Sequence, residues 1–165
     1  MGVLACCDRG ESNKSMNTKL VSSIGAATRS RLVTVSDDTL LVDVAKLLSD
    51  TQISLIVVCD SAGAMVGVIT KTNIVRLIGH CRGSSCRTPA ADVMTPNVTS
   101  CRATDFLPDV LTMMAKHGFV HIPVIDEHFK PLGVVNARDA LRALLAEEEY
   151  EGALLRDYVM GIGYQ

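Results

Sequence analysis

Two short stretches of this chain place a hydrogen-bond donor three residues before a carboxylate or an amide. The first turn, GVITKTNI, covers residues 67–74, and the second turn, GVVNARDA, covers residues 133–140. Each turn ends an apolar run and leads into a helical pattern, so Thr70 and Asn136 are predicted to begin helices. A helix N-terminus favours an anion, and a carboxylate one turn further in suits the hydroxyls of a ribose. The two turns therefore predict nucleotide binding.

The same spacing has a purely structural explanation. Thr70 with Asn73, and Asn136 with Asp139, come close to a capping box, in which the N-cap residue and the third helical residue satisfy each other's N–H groups. A ligand site is favoured by the double occurrence of the turn and by a glycine three residues before each cap, where a missing side chain permits close approach. The sequence leaves both interpretations open.

The other reactive side chains form no catalytic or metal-binding pattern. The six cysteines include no C-x-x-C pair and no zinc spacing, and Cys59 and Cys101 lie in apolar, strand-like contexts where we expect them to be buried. His121 lies in an apolar strand and is interpreted either as a polar wall of a cleft or as a core histidine. We therefore expect no catalytic residue and no metal site.

Composition excludes several classes of protein. The 165 residues carry a net charge of −2, without the strongly basic field of a nucleic-acid-binding protein. No apolar run approaches the roughly 18 residues of a membrane span. We therefore expect no nucleic-acid partner, no membrane association and a cytoplasmic location with reduced thiols.

The elements around the two turns repeat along the chain. A shift of 66 positions (133 − 67 = 66) aligns the sequence with itself without a gap. Each repeat reads as β-α-β-β-α, with a continuous apolar run for its central strand, and Gly118 is predicted as a helix C-cap. Two repeats packed face to face would bury a sheet surface that one repeat leaves uncovered. We predict an α+β, α/β-like fold.

Five segments follow from this pattern. Residues 1–18 are predicted as a flexible lead-in, 19–80 as the first repeat, 81–90 as a linker, 91–146 as the second repeat and 147–165 as a helical extension. We expect the extension to dock on its own domain or on a second subunit, with a frayed tail as the alternative.

This pattern resembles a tandem pair of CBS domains, the module named after cystathionine beta-synthase and also called a Bateman module. The resemblance covers roughly residues 20–146 and rests on the β-α-β-β-α order and the repeated G-h-h-[ST]-x-x-[DN] turn. HIPVID is similar to the family's h-P-V-h-D strand, and ADVMTPNV is similar to its lead-in to a second repeat. The resemblance implies a pseudo-twofold axis between the repeats, two clefts that hold adenosine nucleotides, and a homodimer.

In the second repeat, the resemblance implies that Asp139 binds ribose. Asn136 stands where Thr or Ser usually meets phosphate, and Arg138 is expected to face phosphate as well. The adenine-cradling strand and the lead-in to the same cleft are expected to contribute His121, Ile122, Pro123 and Thr99.

In the first repeat, Thr70 fits the phosphate position, but Asn73 replaces the ribose-binding acid. Lys71 and Thr72 stand beside Thr70, and the cleft wall is expected to contain Ser54, Leu55 and Ile56. The second site therefore has the better ribose acceptor, and the first site has the better phosphate hydroxyl.

These features predict a regulatory binding module that is not an enzyme. Its expected ligand is AMP, ADP or ATP, with AMP or ADP favoured because few cations stand near either turn. Its expected effect is on an unidentified partner protein or on its own assembly as at least a dimer. The alternatives are an adenosyl ligand such as NAD or S-adenosylmethionine, and an enzyme acting on a nucleotide or thiol, which would need a nucleophile near a cleft.

Overall fold

The computed structural model describes residues 19–51, 53–80, 83, 87–146 and 149. Residues 1–18, predicted as a flexible lead-in, lie outside the described residues. So does the predicted C-terminal extension, apart from Glu149, and so do Cys6, Cys7, Cys81 and Cys86.

The described residues form six helices, one 3₁₀ turn and six strands. In chain order, these are the 3₁₀ turn Val21–Ile24, α1 (Gly25–Ser30), β1 (Thr34–Ser36), α2 (Leu41–Asp50), β2 (Leu55–Cys59), β3 (Met65–Thr70), α3 (Lys71–His80), α4 (Ala90–Val93), β4 (Thr95–Pro96), α5 (Leu107–His117), β5 (His121–Ile125), β6 (Pro131–Asn136) and a helix α6 over residues 137–146.

Each repeat folds as β-α-β-β-α around its own small sheet. In the first repeat, β1 pairs in parallel with β2, β2 pairs antiparallel with β3, and β3 pairs antiparallel with β4. In the second repeat, β5 and β6 are antiparallel, and Cys101 forms a single parallel bridge to Val124. The first strand of the second repeat, expected from the β-α-β-β-α order, is thus reduced to this bridge, but the predicted α+β fold of two repeats is confirmed.

The N-terminal segment of each repeat, before its first strand, packs on the other repeat, and we call these two segments the lead-in segments. The lead-in segment of the first repeat, residues 19–33, contains α1, which packs on β6 of the second repeat, and Val21, which lies within the core of the second repeat. The lead-in segment of the second repeat contains α4, which packs on β3 of the first. Each sheet is therefore covered by a helix that belongs, in sequence, to the lead-in segment of the other repeat.

Three apolar clusters hold the described part of the fold together. One lies beneath α5 and α6 and contains Leu107 and Met114, and a second lies beneath α2 and contains Val44 and Leu48. The third joins the facing sheets and includes Val57 and Val134. This central cluster confirms the expectation that two repeats packed face to face bury their sheets jointly.

Helix α5 shows how local sequence fixes its ends. Pro108 occupies its first turn, where a missing N–H costs nothing. Gly118 ends the helix in the left-handed conformation, with φ of 69°, as predicted, and the N–H of Phe119 donates to the Met114 carbonyl.

Candidate functional site

Two clefts lie between the repeats, one beside each turn. The second cleft, beside the second turn, encloses about 460 Å³ and is lined by Arg31, Ile53, Ser54, Leu55, Val120, His121, Val134, Asn136, Ala137 and Arg138. The first cleft, beside the first turn, encloses about 350 Å³ and is lined by Leu55, Val68, Thr70, Thr72, Asn73, Arg76, Thr95, Asn97, Val98, Thr99 and Phe119. Both volumes lie in the range of small-molecule sites.

Two residues line the opposite cleft from the one in which they were expected, so for them the prediction is wrong. Ser54 was expected beside the first turn but lines the second cleft, whereas Thr99 was expected beside the second turn but lines the first cleft. Leu55 contributes to both clefts. The reason is that each cleft lies between the repeats, so each combines one repeat's turn with the other repeat's wall.

The expectation that Ile56, Ile122 and Pro123 form cleft walls is also wrong. Ile56 and Ile122 are completely buried, and Pro123 is almost so. Strands β2 and β5 are covered on both faces, so their interior residues serve the core, and the strand ends nearest the turns reach the clefts. Lys71 is exposed and lies outside the residues that line either cleft.

The first turn forms a closed set of hydrogen bonds. The Thr70 N–H and hydroxyl both donate to Oδ1 of Asn73, at 3.0 Å and 2.6 Å, and the Asn73 N–H points back to the Thr70 hydroxyl at 3.4 Å. Nδ2 of Asn73 donates to the Val93 carbonyl and to the Thr95 hydroxyl. The capping-box interpretation is therefore confirmed for this turn, and the Asn73 amide is in use at both ends.

The second turn caps its helix differently. Oδ1 of Asn136 accepts the N–H of Arg138 at 2.9 Å, while its Nδ2 lies 2.9 Å from Nε2 of His121. A neutral imidazole with its proton on Nδ1 accepts that bond. The Asn136 amide thus holds both the helix N-terminus and the cleft wall, where His121 is one of the lining residues.

Asp139, the predicted ribose-binding acid, is paired with an arginine from the lead-in to the first repeat. Nε of Arg31 donates to Oδ2 of Asp139 at 2.6 Å, across 108 positions of sequence. The Asp139 side chain is 17% exposed and that of Arg31 is 40% exposed, so the pair is partly shielded from water. Arg31 lines the second cleft, whereas Asp139 lies outside the residues that line it. The carboxylate is held in one orientation and keeps its second oxygen for another donor.

Burial lowers the pKa of His121, and the positive charge of Arg31 lowers it further, while Asp139 opposes the shift. The ring is therefore predominantly neutral at pH 7, consistent with its contact to Asn136. The charge available to an anion in the second cleft comes from Arg31 and Arg138.

The glycine of each turn is required by protein packing. A Cβ on Gly133 would lie 2.7 Å from the Thr28 hydroxyl oxygen, and a Cβ on Gly67 would lie 2.7 Å from the Met94 sulfur and 2.8 Å from the Thr95 carbonyl oxygen. Thr28 and Met94 are equivalent under the 66-residue shift (28 + 66 = 94). The segments that approach these glycines closely, as expected there, are the exchanged lead-in segments.

Sequence reasoning missed several residues that line the clefts, among them Arg31, Asn97 and Phe119. Arg31 and Asn97 hold equivalent positions (31 + 66 = 97), one in each cleft, and Phe119 lines the first cleft where Ile53 lines the second. Phe119 stacks on His117, with ring centroids 5.4 Å apart. The self-alignment could have paired these positions, but the exchange of lead-in segments, which brings them to the clefts, has no local sequence signal.

The thiols in the described part of the chain are poorly suited to nucleophilic chemistry. Burial raises the pKa of Cys59, and burial with the Asp105 charge raises that of Cys101 to about 12. Within the same described residues, no group of three or more His, Cys, Asp or Glu side chains could hold a metal ion. None of the helices described there is long and apolar enough to cross a membrane.

Two relatives show how this chain compares with other proteins. It is 26% identical over 144 residues to an uncharacterised 17.7 kDa protein in the bps2 3′ region of Acidianus ambivalens, covering 87% of this chain and 86% of the relative. It is 32% identical over 106 residues to the arabinose 5-phosphate isomerase GutQ of Salmonella typhi, covering 64% of this chain and 32% of the isomerase. The chain thus spans about a third of that enzyme's length.

Two solved structures share the fold. The CBS domain pair of protein MJ0100 in complex with 5′-methylthioadenosine and S-adenosyl-L-methionine matches with a TM-score of 0.66 and 22% identity, covering 79% of this chain and 98% of that one. CBSX2 in complex with AMP matches with a TM-score of 0.69 and 23% identity, covering 78% and 98%. The sequence itself matches the CBS domain family over residues 21–80 and 90–146. The chain therefore belongs to the CBS domain family and carries two CBS domains in tandem.

Proposed function

We propose that this protein is a regulatory module that binds adenosine nucleotides in the clefts between its two CBS domains. The observation that carries the proposal is the composition of the second cleft. Arg31 and Arg138 line this cleft beside a helix N-terminus, and Asp139, which is paired with Arg31, keeps one carboxylate oxygen for a ribose. A nucleotide combines the two chemistries that this cleft offers, a diol acceptor and an anion site.

Within this class, AMP or ADP suits the second cleft better than ATP. Its two arginines must also balance Asp139, so little cationic charge is left for a triphosphate. The fold relative CBSX2 was solved with AMP, which supports the choice.

An adenosyl compound with less negative charge, such as S-adenosylmethionine, is the second candidate, and NAD is a further one. The first cleft favours such a ligand, because hydroxyl and amide side chains dominate its polar lining, with Arg76 as the cation, and Phe119 offers an aromatic face for a purine. The MJ0100 domain pair was solved with S-adenosyl-L-methionine and 5′-methylthioadenosine.

We place the effect of binding on a partner protein or on self-assembly in the cytoplasm, without catalysis. The isomerase relative supports a regulatory role, because the matching region makes up about a third of a longer enzyme. In the described part of this chain, the buried cysteines offer no thiolate at neutral pH, and Asp139 is already ion-paired.

A thermal-shift series tests the proposal directly. A ligand that binds only the folded state, at a hundred times its dissociation constant, stabilises that state by about 2.7 kcal/mol. We expect AMP, ADP or ATP to raise the melting midpoint by several degrees, with no product after prolonged incubation. Unchanged melts with millimolar AMP, ADP, ATP, NAD and S-adenosylmethionine would contradict it, and native mass spectrometry of fresh protein would identify a retained ligand.

The homodimer belongs to the same proposal. Helix α3 exposes Val75 and Ile78, which are 68% and 65% exposed, and α6 exposes Leu141 and Leu145. Val75 and Leu141 are equivalent (75 + 66 = 141), so both repeats present apolar surface on the same helix, as a self-complementary contact with a second copy would require.

Light scattering should return at least a dimer mass, and the pair Val75→Asp with Leu141→Asp should shift it towards monomer. Ala115→Asp, on the exposed side of α5, is the matched control. A monomer mass for the wild type at micromolar concentration would refute self-association.

A further inference from the structure

We infer that Arg31 determines the ligand class of the second cleft, reserving it for phosphorylated ligands, and that Arg31 also positions Asp139 for the ribose. This inference rests on the proposed function and assigns a specificity role to a residue outside both turns. It begins from the ion pair between Arg31 and Asp139, 108 positions apart, at the edge of a cleft that Arg31 lines.

The geometry leaves both partners with unused hydrogen-bonding capacity. A guanidinium has five N–H donors, and the Arg31–Asp139 bond uses the one on Nε. The terminal nitrogens are left for an anion in the cleft, and the other carboxylate oxygen of Asp139 is left for hydroxyls. One arginine can therefore orient the ribose acceptor and bind a phosphate at the same time.

The donors of the second turn itself contribute less to anion binding than Arg31. The Asn136 amide bonds to the Arg138 N–H and to His121, so it has less capacity for a phosphate than an unengaged donor would have. The Arg138 side chain is exposed, where water weakens its attraction for an anion. The partly shielded Arg31 therefore makes the stronger contribution to anion binding.

Backbone contacts fix where Arg31 stands. It forms the C-cap of α1, and its N–H points to the carbonyls of Thr28 and Arg29. Since α1 packs on β6, the strand that leads into the second turn, the guanidinium is delivered to the cleft by a structured segment. Its position is set before a ligand arrives, which lowers the entropic cost of using it.

The first cleft provides an internal comparison. Asn97 stands at the position equivalent to Arg31, and its neutral amide cannot supply a charge. The acid is also missing there, because Asn73 replaces it and bonds instead to Thr70 and Thr95. The ion-paired arginine and acid thus stand together beside one cleft and have no counterpart beside the other, where Arg76 is the cation.

The test compares AMP with adenosine, which differ by the phosphate alone, by calorimetry on the full chain. Asp139→Asn first identifies which binding event belongs to the second cleft. At that event, Arg31→Gln should weaken AMP by about ten- to a hundredfold, the loss expected for charge-assisted hydrogen bonds, and should weaken adenosine by a smaller factor, which measures the lost orientation of Asp139 alone. Arg31→Lys should recover part of the AMP affinity, because it keeps the charge but loses the planar fork.

Arg29→Gln is the matched control, since Arg29 is exposed on the same helix and lies outside the residues that line the cleft. It should leave both ligands unchanged, and every variant should keep the cooperative melt of the wild type. Equal losses of AMP and adenosine in Arg31→Gln, or no loss of either, would overturn the inference while leaving the proposed function intact. Failure of the wild type to bind any adenosine compound would overturn both.

Discussion

The two turns share a position in the repeat and a sequence pattern, yet they use their polar groups in opposite ways. The first turn is closed on itself and on the end of α4 and the residues after it, with the Asn73 amide bonded to Thr70, Val93 and Thr95. The second turn also caps its helix, through Asn136, but its acid is held by Arg31 and has one carboxylate oxygen left over. A group committed to a cap has less to offer a ligand, so we interpret the first turn as mainly structural and the second as mainly binding.

The exchange of lead-in segments explains why the turns could diverge. In the first repeat, β4 adds a short fourth strand beside β3, next to the glycine of the first turn. In the second repeat, the equivalent place beside β6 is taken by helix α1, which ends at Arg31. Equivalent edges of the two sheets therefore contact different backbone structures. As a result, Arg31 lines one cleft and Asn97 lines the other at equivalent positions.

The largest effect is expected from adding one methyl group at the glycine of each turn. We expect Gly133→Ala to lower the free energy of unfolding by about 1–3 kcal/mol, because its Cβ would meet Cβ and the carbonyl carbon of Thr28 at 2.8 and 2.9 Å. Gly67→Ala should cost less, because part of its clash is with the flexible Met94 side chain. Urea denaturation of both variants measures the difference.

Gly79→Ala is the control for these two variants. Its Cβ would meet nothing within 4 Å, and alanine is the better helix former by about 1 kcal/mol, so this variant should be neutral or more stable. A Gly133→Ala variant as stable as the wild type would contradict the close packing of α1 on the second repeat.

The second-largest effects are expected from two variants, one in each turn, of which one should mainly affect affinity and the other mainly stability. Asp139→Asn should weaken adenosine nucleotides at the second cleft by about ten- to a hundredfold, since it removes the charge but keeps the size of the ribose acceptor. Asn73→Ala should instead cost about 0.5–2 kcal/mol of stability, as expected for a lost cap, with a smaller change in affinity. Calorimetry on both variants measures the change in affinity, and urea denaturation measures the change in the free energy of unfolding.

If Asp139→Asn leaves affinity unchanged at both sites, the second turn is also only a helix cap. A deoxyribose analogue sharpens the test, because it should lose less affinity than the ribonucleotide between wild type and variant.

Local pattern was sufficient to predict the repeat, the element order and the polar character of both turns. It predicted Asn136 and Thr70 as caps because capping depends on residues two or three positions apart. It failed for Ser54 and Thr99, whose clefts depend on how the repeats face each other. It also failed for Ile122 and Pro123, because a strand covered on both faces gives no alternation to show which side meets a cleft.

Arg31 shows the same limit most clearly. In sequence it is a polar residue between a short helix and a strand, with nothing to connect it to an acid 108 positions away. That contact exists because α1 packs on the other repeat, and packing between distant segments is decided by buried surface that no short motif records.

The smallest effect is expected from the pH dependence of His121. Its pKa is lowered by burial first and then by the charge of Arg31, so the folded state favours the neutral ring. Below the ordinary value of 6.5, the unfolded chain binds a proton that the folded chain resists, and stability falls. The contribution of His121 is therefore complete above about pH 6.5 and is lost as the pH falls through the folded pKa.

His121→Leu copies the residue at the equivalent position of the first repeat, Leu55, and removes the titration (55 + 66 = 121). Losing the bond to Asn136 shifts absolute stability at every pH, so the informative quantity is the change in melting midpoint between pH 7.5 and pH 5.5. We expect this change to be larger in the wild type and in the exposed control His128→Gln than in His121→Leu. Equal changes in all three would mean that His121 titrates as it does in the unfolded chain. In that case neither its burial nor the charge of Arg31 would lower its pKa, in contradiction to the contacts of the second cleft.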